Sequence, residues 1–269
     1  MAGMDWDKTA VENFLATAHA LADLAREQSL PWFRQAIETE FKADSSPVTK
    51  ADVCAEAAMR RRLAELHPDH EVRGEELGSE RSGAEWVWFL DPIDGTKSFI
   101  SGIPLWGTLV ALLFRDSPVI GVIDAPATNE RWSAIQDTAT WFCGDGRAPQ
   151  RCRTSGCTQL AHARLCLPSP DTFDEHGSQA ARRLSECARL NRFGGDCYSY
   201  GLLASGHLDV IVESGLDDHD FLPMVPIIEA ADGVISDWEG HPLRPGSSGH
   251  VVAAASAALH REAVAQLCG

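Results

Sequence analysis

The sequence lacks any apolar run of the roughly 18 to 20 residues that a helix needs to cross a bilayer. Its first thirty residues carry acidic side chains where a secretion signal would have a basic start and an apolar block. Internal repeats, low-complexity tracts and long flexible linkers are also missing. We therefore expect a soluble, cytoplasmic protein whose parts pack against one another.

Basic residues are scarce. The chain has 23 Lys and Arg against 39 Asp and Glu, which gives a net charge of -16. This charge repels nucleic-acid backbones and anionic membrane surfaces, so neither is an expected partner. It would also repel a phosphorylated metabolite, unless bound metal ions reverse the sign of the charge locally.

Cysteine is also sparse, with eight residues in 269 and no Cys-x-x-Cys pair. This is too few for a secreted disulfide scaffold, so we expect reduced thiols. The cluster of Cys152, Cys157, His162 and Cys166 has gaps that match no common zinc site, which favours a chance grouping.

Hydrophobic residues make up 44% of the chain and charged residues 23%, as in a globular protein with a substantial core. Apolar residues at helical spacing predict a helix from Val11 to about Pro31, and a second over residues 52–66. The aromatic-rich residues 86–90 predict a buried strand. Further strands are predicted at 105–114, 119–124, 131–135, 140–142, 164–167, 208–213, 234–237 and 251–254, and further helices at 172–189, 198–205, 222–231 and the C-terminus.

This alternation predicts a layered α/β (α+β) fold. We expect two halves in one compact unit, residues 1–145 with most of the acidic motifs and residues 146–269 with the last of them.

The run from Asp91 to Thr96, which follows the predicted strand 86–90, has the composition of a ligand-binding turn. It places two carboxylates three residues apart, with Pro92 stiffening the turn and Gly95 letting the backbone approach a ligand. If Gly95 and Thr96 open a helix, their N–H groups face an anion beside a site for a hard cation. The same residue types also make ordinary structural turns, so the run alone leaves both interpretations open.

Two other elements can supply carboxylates to the same place: the run from Gly74 to Glu76, and Asp220. Taken separately, Glu75 and Glu76 are explained as well by a solvated pair, and Asp220 by a helix N-cap.

In this order, the three elements resemble those of the inositol monophosphatase-like family of metal-dependent, lithium-sensitive phosphatases. The resemblance covers nearly the whole chain and implies an αβαβα sandwich, a small phosphorylated substrate and a homodimer. It implies up to three magnesium ions, held by Glu75, Asp91, Asp94, Asp220 and the carbonyl of Ile93.

The resemblance also implies the catalytic roles. Thr96 and Glu75 activate the attacking water, and Gly95 and Thr96 bind the phosphate. The segment from Thr49 to Asp52 is similar to a mobile family loop, in which Asp52 orients the Thr96 hydroxyl. The chain departs from the family pattern in having His219 before Asp220, where the family usually has Trp.

Substrate choice is assigned by the resemblance to Asp94, Gly195, Asp196, Cys197 and Glu213. An Asp at position 196 is most similar to the histidinol-phosphate phosphatase branch, since an ammonium and an imidazole suit two carboxylates. The alternatives are that Asp196 only caps a helix, and that the substrate is inositol monophosphate, a nucleotide 3′-phosphate or a sugar bisphosphate.

Two other classes of protein use clustered acids. A glycosidase would work with paired carboxylates such as Asp91 and Asp94 and would keep its activity in EDTA. A calcium-stabilised binding module would show metal-dependent melting without turnover.

Overall fold

The computed structural model describes residues 6–36, 39–41, 47–144 and 146–268. The helices within these residues are α1 Lys8–Ser29, α2 Lys50–Leu66, α3 Thr96–Ile100, α4 Glu175–Cys187, α5 Asp196–Ala204, α6 Asp218–Phe221, α7 Met224–Glu229 and α8 Ala257–Leu267. The strands are β1 Thr39–Phe41, β2 Pro47–Thr49, β3 Glu71–Gly74, β4 Gly78–Glu80, β5 Trp86–Asp94, β6 Gly107–Phe114, β7 Ser117–Ala125, β8 Glu130–Ile135, β9 Thr140–Gly144, β10 Gln150–Arg151, β11 Arg164–Leu167, β12 Leu190–Phe193, β13 Val210–Glu213, β14 Val234–Ser236 and β15 Val251–Ala254.

The strands form two large sheets and a small hairpin, β1–β2. The first sheet has the order β10-β9-β8-β7-β6-β5-β3-β4 and is antiparallel except where β3 lies parallel to β5. The second has the order β12-β11-β13-β15-β14, with β11 parallel to both of its neighbours. The first sheet takes its last strand from β10, beyond the division near residue 145 that the sequence suggested, and the two-part division itself stays a prediction.

Helices cover both faces of each sheet. Helices α1 and α2 pack on one face of the first sheet, α5 to α7 fill the space between the sheets, and α4 and α8 cover the second sheet. Alternate residues of β5 serve the two faces of the first sheet: Val87 and Phe89 join the core between the sheets, and Trp88 and Leu90 pack under α1 and α2. The predicted αβαβα layering is therefore confirmed.

Most predicted elements are present, with ends that differ by a few residues. The predicted helix 222–231 is present as the shorter α7, and a separate short helix, α6, precedes it where the sequence predicted no helix. Pro223 lies between them and has no N–H to continue the α6 hydrogen bonds. The polar strands β3 and β4 were missed because they carry no apolar alternation.

The segment Ser45–Asp52, which the sequence left open as a loop or a connector, lies partly outside the described residues. Its described part forms β2 and then the first turn of α2, with Thr49 as the N-cap residue. Within the described part of the chain, no helix combines the length and the apolar character needed to span a membrane.

Candidate active site

The end of β5 brings two of the predicted ligands together. Between Asp91 and Asp94 the pairing of β5 with β6 shifts register, so the strand does not continue its regular alternation. The Asp91 carboxylate is buried and accepts a hydrogen bond from the Ile93 N–H at 3.0 Å. The predicted ligand Ile93 is also buried, and its carbonyl accepts the Thr96 hydroxyl at 3.1 Å. These two hydrogen bonds lie within the turn and stabilise its conformation.

Asp220 reaches this turn from the other half of the chain. It is the third residue of α6, and its carboxylate accepts the Asp217 N–H at 2.8 Å in a capping box. Its second oxygen lies 3.4 Å from His219 Nε2. Asp220 is therefore not the N-cap residue itself; Asp217 has that role.

Carboxylate oxygens of Asp91, Asp94 and Asp220 all lie within 4.8 Å of one another. Glu75 joins them at the turn between β3 and β4, because its side chain hydrogen bonds to that of Asp91. The Glu75 N–H donates to the Leu90 carbonyl at 3.1 Å, which ties this turn to β5. Residues far apart in sequence therefore gather an all-oxygen set, the kind that hard divalent cations prefer.

The electrostatics of this cluster also fit a cation. Desolvation and the carboxylates of Glu75, Asp94 and Asp220 raise the pKa of Asp91 well above its usual range. Desolvation and the charges of Asp196 and Asp220 likewise raise the pKa of Asp94. Like charges this close oppose one another's ionisation, and a bound divalent cation would remove that conflict.

Asp52 and Thr96 are not hydrogen bonded to each other. Asp52 Oδ2 accepts the N–H and the hydroxyl of its neighbour Thr49, at 2.9 Å and 2.5 Å, and so caps α2. The predicted contact with the Thr96 hydroxyl, which donates to Ile93, is therefore not found. Burial raises the pKa of Asp52 to about 6, and its Oδ1 has no hydrogen-bond partner in the described structure.

Gly95 and Thr96 open a helix, the condition on which the phosphate site depended: Gly95 is the N-cap residue of α3, with φ +79°. A Cβ at Gly95 would lie 2.6 Å from Asp196 Oδ2, so a side chain there would displace that carboxylate, and the positive φ also favours glycine. The phosphate-side turn and the predicted substrate side are therefore in direct contact.

The first turn of α5 carries the substrate-side residues. Gly195 is the N-cap residue, with φ +113°, and Asp196 makes no side-chain cap. Instead Asp196 Oδ2 accepts the Ser98 hydroxyl at 2.8 Å, and desolvation raises the pKa of Asp196. The helix-cap alternative for Asp196 is therefore wrong.

Cys197 differs from the prediction that it lines the substrate. Its side chain is 2% exposed, and its N–H donates to Asp94 Oδ2 at 2.7 Å. Cys197 thus orients a carboxylate of the cluster, and its thiol is too deeply buried to face a substrate.

Glu213 lies at the end of β13 within reach of the same charges. Its carboxylate accepts the Tyr200 hydroxyl at 2.7 Å. Desolvation, with the charges of Asp94 and Asp196, raises the pKa of Glu213 to about 8.

The contacts of Ser98 and Tyr200 were missed, because single Ser and Tyr residues in apolar or mixed segments give no pattern that marks them.

The chain is similar to known proteins in sequence and in fold. A sequence model of the inositol monophosphatase family matches residues 7–268. The chain is 40% identical over 268 residues to the bifunctional phosphatase IMPL2, chloroplastic, of Arabidopsis thaliana, covering 96% of this chain and 76% of the plant protein. It is 32% identical over 259 residues to a histidinol-phosphatase of Streptomyces coelicolor, covering 94% and 96% of the two chains.

A solved structure of an inositol monophosphatase from Zymomonas mobilis is also similar. It has a TM-score of 0.87 and 41% identity over 97% of this chain and 99% of that one. The layered fold, the all-oxygen cluster and these relatives together define a hydrolase of the phosphatase class. The chain belongs to the inositol monophosphatase family, whose members depend on metal ions.

Proposed function

We propose that the protein is a magnesium-dependent phosphomonoesterase that hydrolyses histidinol phosphate to histidinol and phosphate. The observation that supports the reaction best is the meeting of the Asp91, Asp94 and Asp220 carboxylates beside the turn that opens α3. The substrate is supported by Asp196 and Glu213, and by the names of relatives in Streptomyces coelicolor and Mycobacterium tuberculosis, both histidinol-phosphatases at 32% identity.

Glu75, Asp91, Asp94, Asp220 and the Ile93 carbonyl would hold up to three magnesium ions. When bound, these ions supply a lowered pKa for the attacking water and positive charge for the phosphate and the leaving oxygen. The positive charge of the ions offsets the repulsion that the net charge of -16 would otherwise exert on a phosphate ester.

The chain's own groups complete the reaction. The N–H groups of Gly95 and Thr96 bind phosphate oxygens. Glu75 and the Thr96 hydroxyl orient the attacking water, and Glu75 accepts its proton. Asp52 retains a buried acceptor, Oδ1, for the Thr96 hydroxyl once that hydroxyl leaves the Ile93 carbonyl. The leaving alkoxide takes a proton from a second water, and the hydroxide left behind takes back the proton held by Glu75.

Asp196 and Glu213 would recognise the alcohol part of the substrate. Histidinol carries an ammonium and an imidazole, and each carboxylate favours a cationic partner. Ser98 and Tyr200 hold these two carboxylates in place through the hydrogen bonds described above.

The test is a panel of phosphate monoesters assayed with magnesium and with EDTA. We expect histidinol phosphate to have the highest kcat/KM and all activity to disappear in EDTA. Activity that survives EDTA would contradict the metal-dependent reaction and favour glycosidase-type chemistry. Inositol 1-phosphate is the second candidate, because the similar Zymomonas mobilis structure is titled an inositol monophosphatase.

Asp196→Asn tests the substrate assignment. The change keeps an acceptor for Ser98 but removes the charge, so we expect about a 10-fold or greater loss of kcat/KM for histidinol phosphate, the scale of one charge-assisted hydrogen bond. Activity on a neutral alcohol phosphate such as inositol 1-phosphate should change much less. Equal losses on both substrates would contradict the recognition role.

The homodimer and the lithium sensitivity that the resemblance implies also belong to this proposal. Sedimentation velocity of the purified protein tests the first, and inhibition by lithium chloride against a sodium chloride control tests the second.

A further inference from the structure

Helix α2 carries three buried charged residues on one face, and the proposed reaction gives a role to only one of them, Asp52. Asp52, Glu56 and Arg60 follow one another at four-residue spacing and so lie on one face of the helix. They are 0%, 0% and 6% exposed. Charged side chains are rarely buried this deeply unless each has partners, so the contacts of Glu56 and Arg60 need an explanation.

Both oxygens of Glu56 are used to hold the segment after Glu75. Oε2 accepts the Glu76 N–H at 2.7 Å. Oε1 accepts the Leu77 N–H at 3.2 Å and Arg60 Nε at 2.7 Å.

Further contacts with Glu56 and Arg60 lie on both sides of Glu75. Arg60 donates to the Gly78 carbonyl and pairs with Glu80 at 3.2 Å, both on β4. A Cβ on Gly74 would lie 2.1 Å from Glu56 Oε1, so the chain passes directly against this carboxylate.

Two hydrogen bonds therefore hold the backbone at Glu75. The Glu75 N–H donates to the carbonyl of Leu90, the residue before Asp91, and the Glu76 N–H donates to Glu56. We propose that Glu56, neutralised by Arg60, is a positioning residue that sets the Glu75 carboxylate at the metal cluster. This inference rests on the proposed function, because it assigns a task to Glu56 only if Glu75 binds metal.

Glu56→Gln tests this role. An amide offers one oxygen where the carboxylate uses two, so either the Glu76 N–H or the Leu77 and Arg60 donors lose their acceptor. Because Arg60 would then keep only the half-exposed Glu80 as a counter-charge, the double variant Glu56→Gln, Arg60→Gln is made alongside it. Met59→Ala, a buried apolar change on the same helix, is the control for general loss of stability.

Four quantities are measured for each variant: the Mn²⁺ dissociation constant by electron paramagnetic resonance, kcat and KM with magnesium, and the thermal midpoint. For both Glu56 variants we expect the Mn²⁺ dissociation constant to rise by about 10- to 100-fold, as for other groups that orient a metal ligand. We expect kcat to fall and KM for the phosphate ester to stay within a few fold. Met59→Ala should lower the thermal midpoint and leave Mn²⁺ binding intact.

Wild-type Mn²⁺ affinity in the double variant would overturn the inference. So would a loss of affinity in Met59→Ala in proportion to its lower thermal midpoint. If the wild-type protein neither binds Mn²⁺ nor hydrolyses phosphate monoesters, the proposed function fails first and the role of Glu56 fails with it.

Discussion

Asp220 shows how one side chain can have a structural and a chemical task together. One of its oxygens caps α6 by accepting the Asp217 N–H, and the side chain also brings an oxygen into the cluster with Asp91 and Asp94. The capping box aims the carboxylate, because the Asp217 and Asp220 side chains each accept the backbone N–H of the other residue. The two tasks can be separated by changing the charge without changing the shape.

Asp220→Asn should keep the cap, since the amide oxygen still accepts the Asp217 N–H, but it removes one negative charge from the cluster. We expect magnesium affinity to fall by at least about 100-fold, the upper range for groups that only orient a ligand. The magnesium dependence of kcat/KM measures this. Asp217→Asn removes a neighbouring charge outside the cluster and serves as the control, with magnesium affinity near the wild-type value; equal losses in the two variants would contradict the assignment.

The junction of β5 and α3 explains why the motif needs its glycine. The left-handed backbone of Gly95 turns the chain from the strand into the helix, and the missing side chain leaves room for Asp196. The same element therefore shapes both the phosphate side and the alcohol side of the site. Ser98, the third residue of α3, completes the connection by donating to Asp196.

Gly95→Ala should show both effects. A left-handed backbone costs an L-residue about 1 to 2 kcal/mol, and the new methyl group would also displace Asp196. Denaturant unfolding should show a destabilisation of at least that size, together with a loss of kcat/KM for histidinol phosphate. Gly156→Ala has a similar backbone, φ +71°, with open space around it, so it should show the backbone cost alone. An active Gly95→Ala enzyme with unchanged selectivity would contradict the close contact.

Across the molecule, α1, α2 and the first sheet meet at a cluster of aromatic rings. His67 and His70 stack with their centroids 4.8 Å apart and lie against Phe14, Trp86 and Trp88. The indole N–H of Trp88 donates to His70 Nδ1 at 3.1 Å, so His70 must be unprotonated at that nitrogen. Desolvation and the neighbouring His67 lower the pKa of His70 to about 4.

This packing predicts a loss of stability in mild acid. Between about pH 6.5, the unfolded value, and about pH 4, the unfolded chain binds a proton that the folded His70 does not. The contribution of His70 is therefore fully present above pH 6.5 and is lost as pH falls toward 4, by at most about 3 kcal/mol and less with solvent screening.

His70→Gln keeps an acceptor for Trp88 and cannot titrate. The free energy of unfolding is measured by urea titration at pH 7 and at pH 5. Its decrease from pH 7 to pH 5 should be smaller for this variant than for the wild type. His241→Gln, at a side chain 74% exposed, is the control and should follow the wild type. Parallel pH profiles for wild type and His70→Gln would refute the assignment.

Local patterns in the sequence were enough for most elements, whereas the roles of the acidic groups were predicted only by the resemblance to a known family. Strand β5, the glycine-led start of α3 and the layered order of helices and sheets follow from short-range periodicity and turn chemistry. The polar strands β3 and β4 were missed for the same reason, since they carry no such pattern. The start of α7 at Pro223 follows from the same local chemistry, because the first N–H groups of a helix have no partner within it and proline lacks one.

The residue order, through that resemblance, therefore predicts which oxygens and which turn would bind a metal and a phosphate. It could not specify contacts between distant segments: the Cys197 N–H on Asp94, Ser98 on Asp196, and Glu56 beneath the Glu75 segment. Those partners are 20 to 103 residues apart along the chain, and they meet only because two sheets and the helices between them pack in one arrangement. Packing is a property of the whole fold, whereas turn and strand preferences belong to a few neighbouring residues.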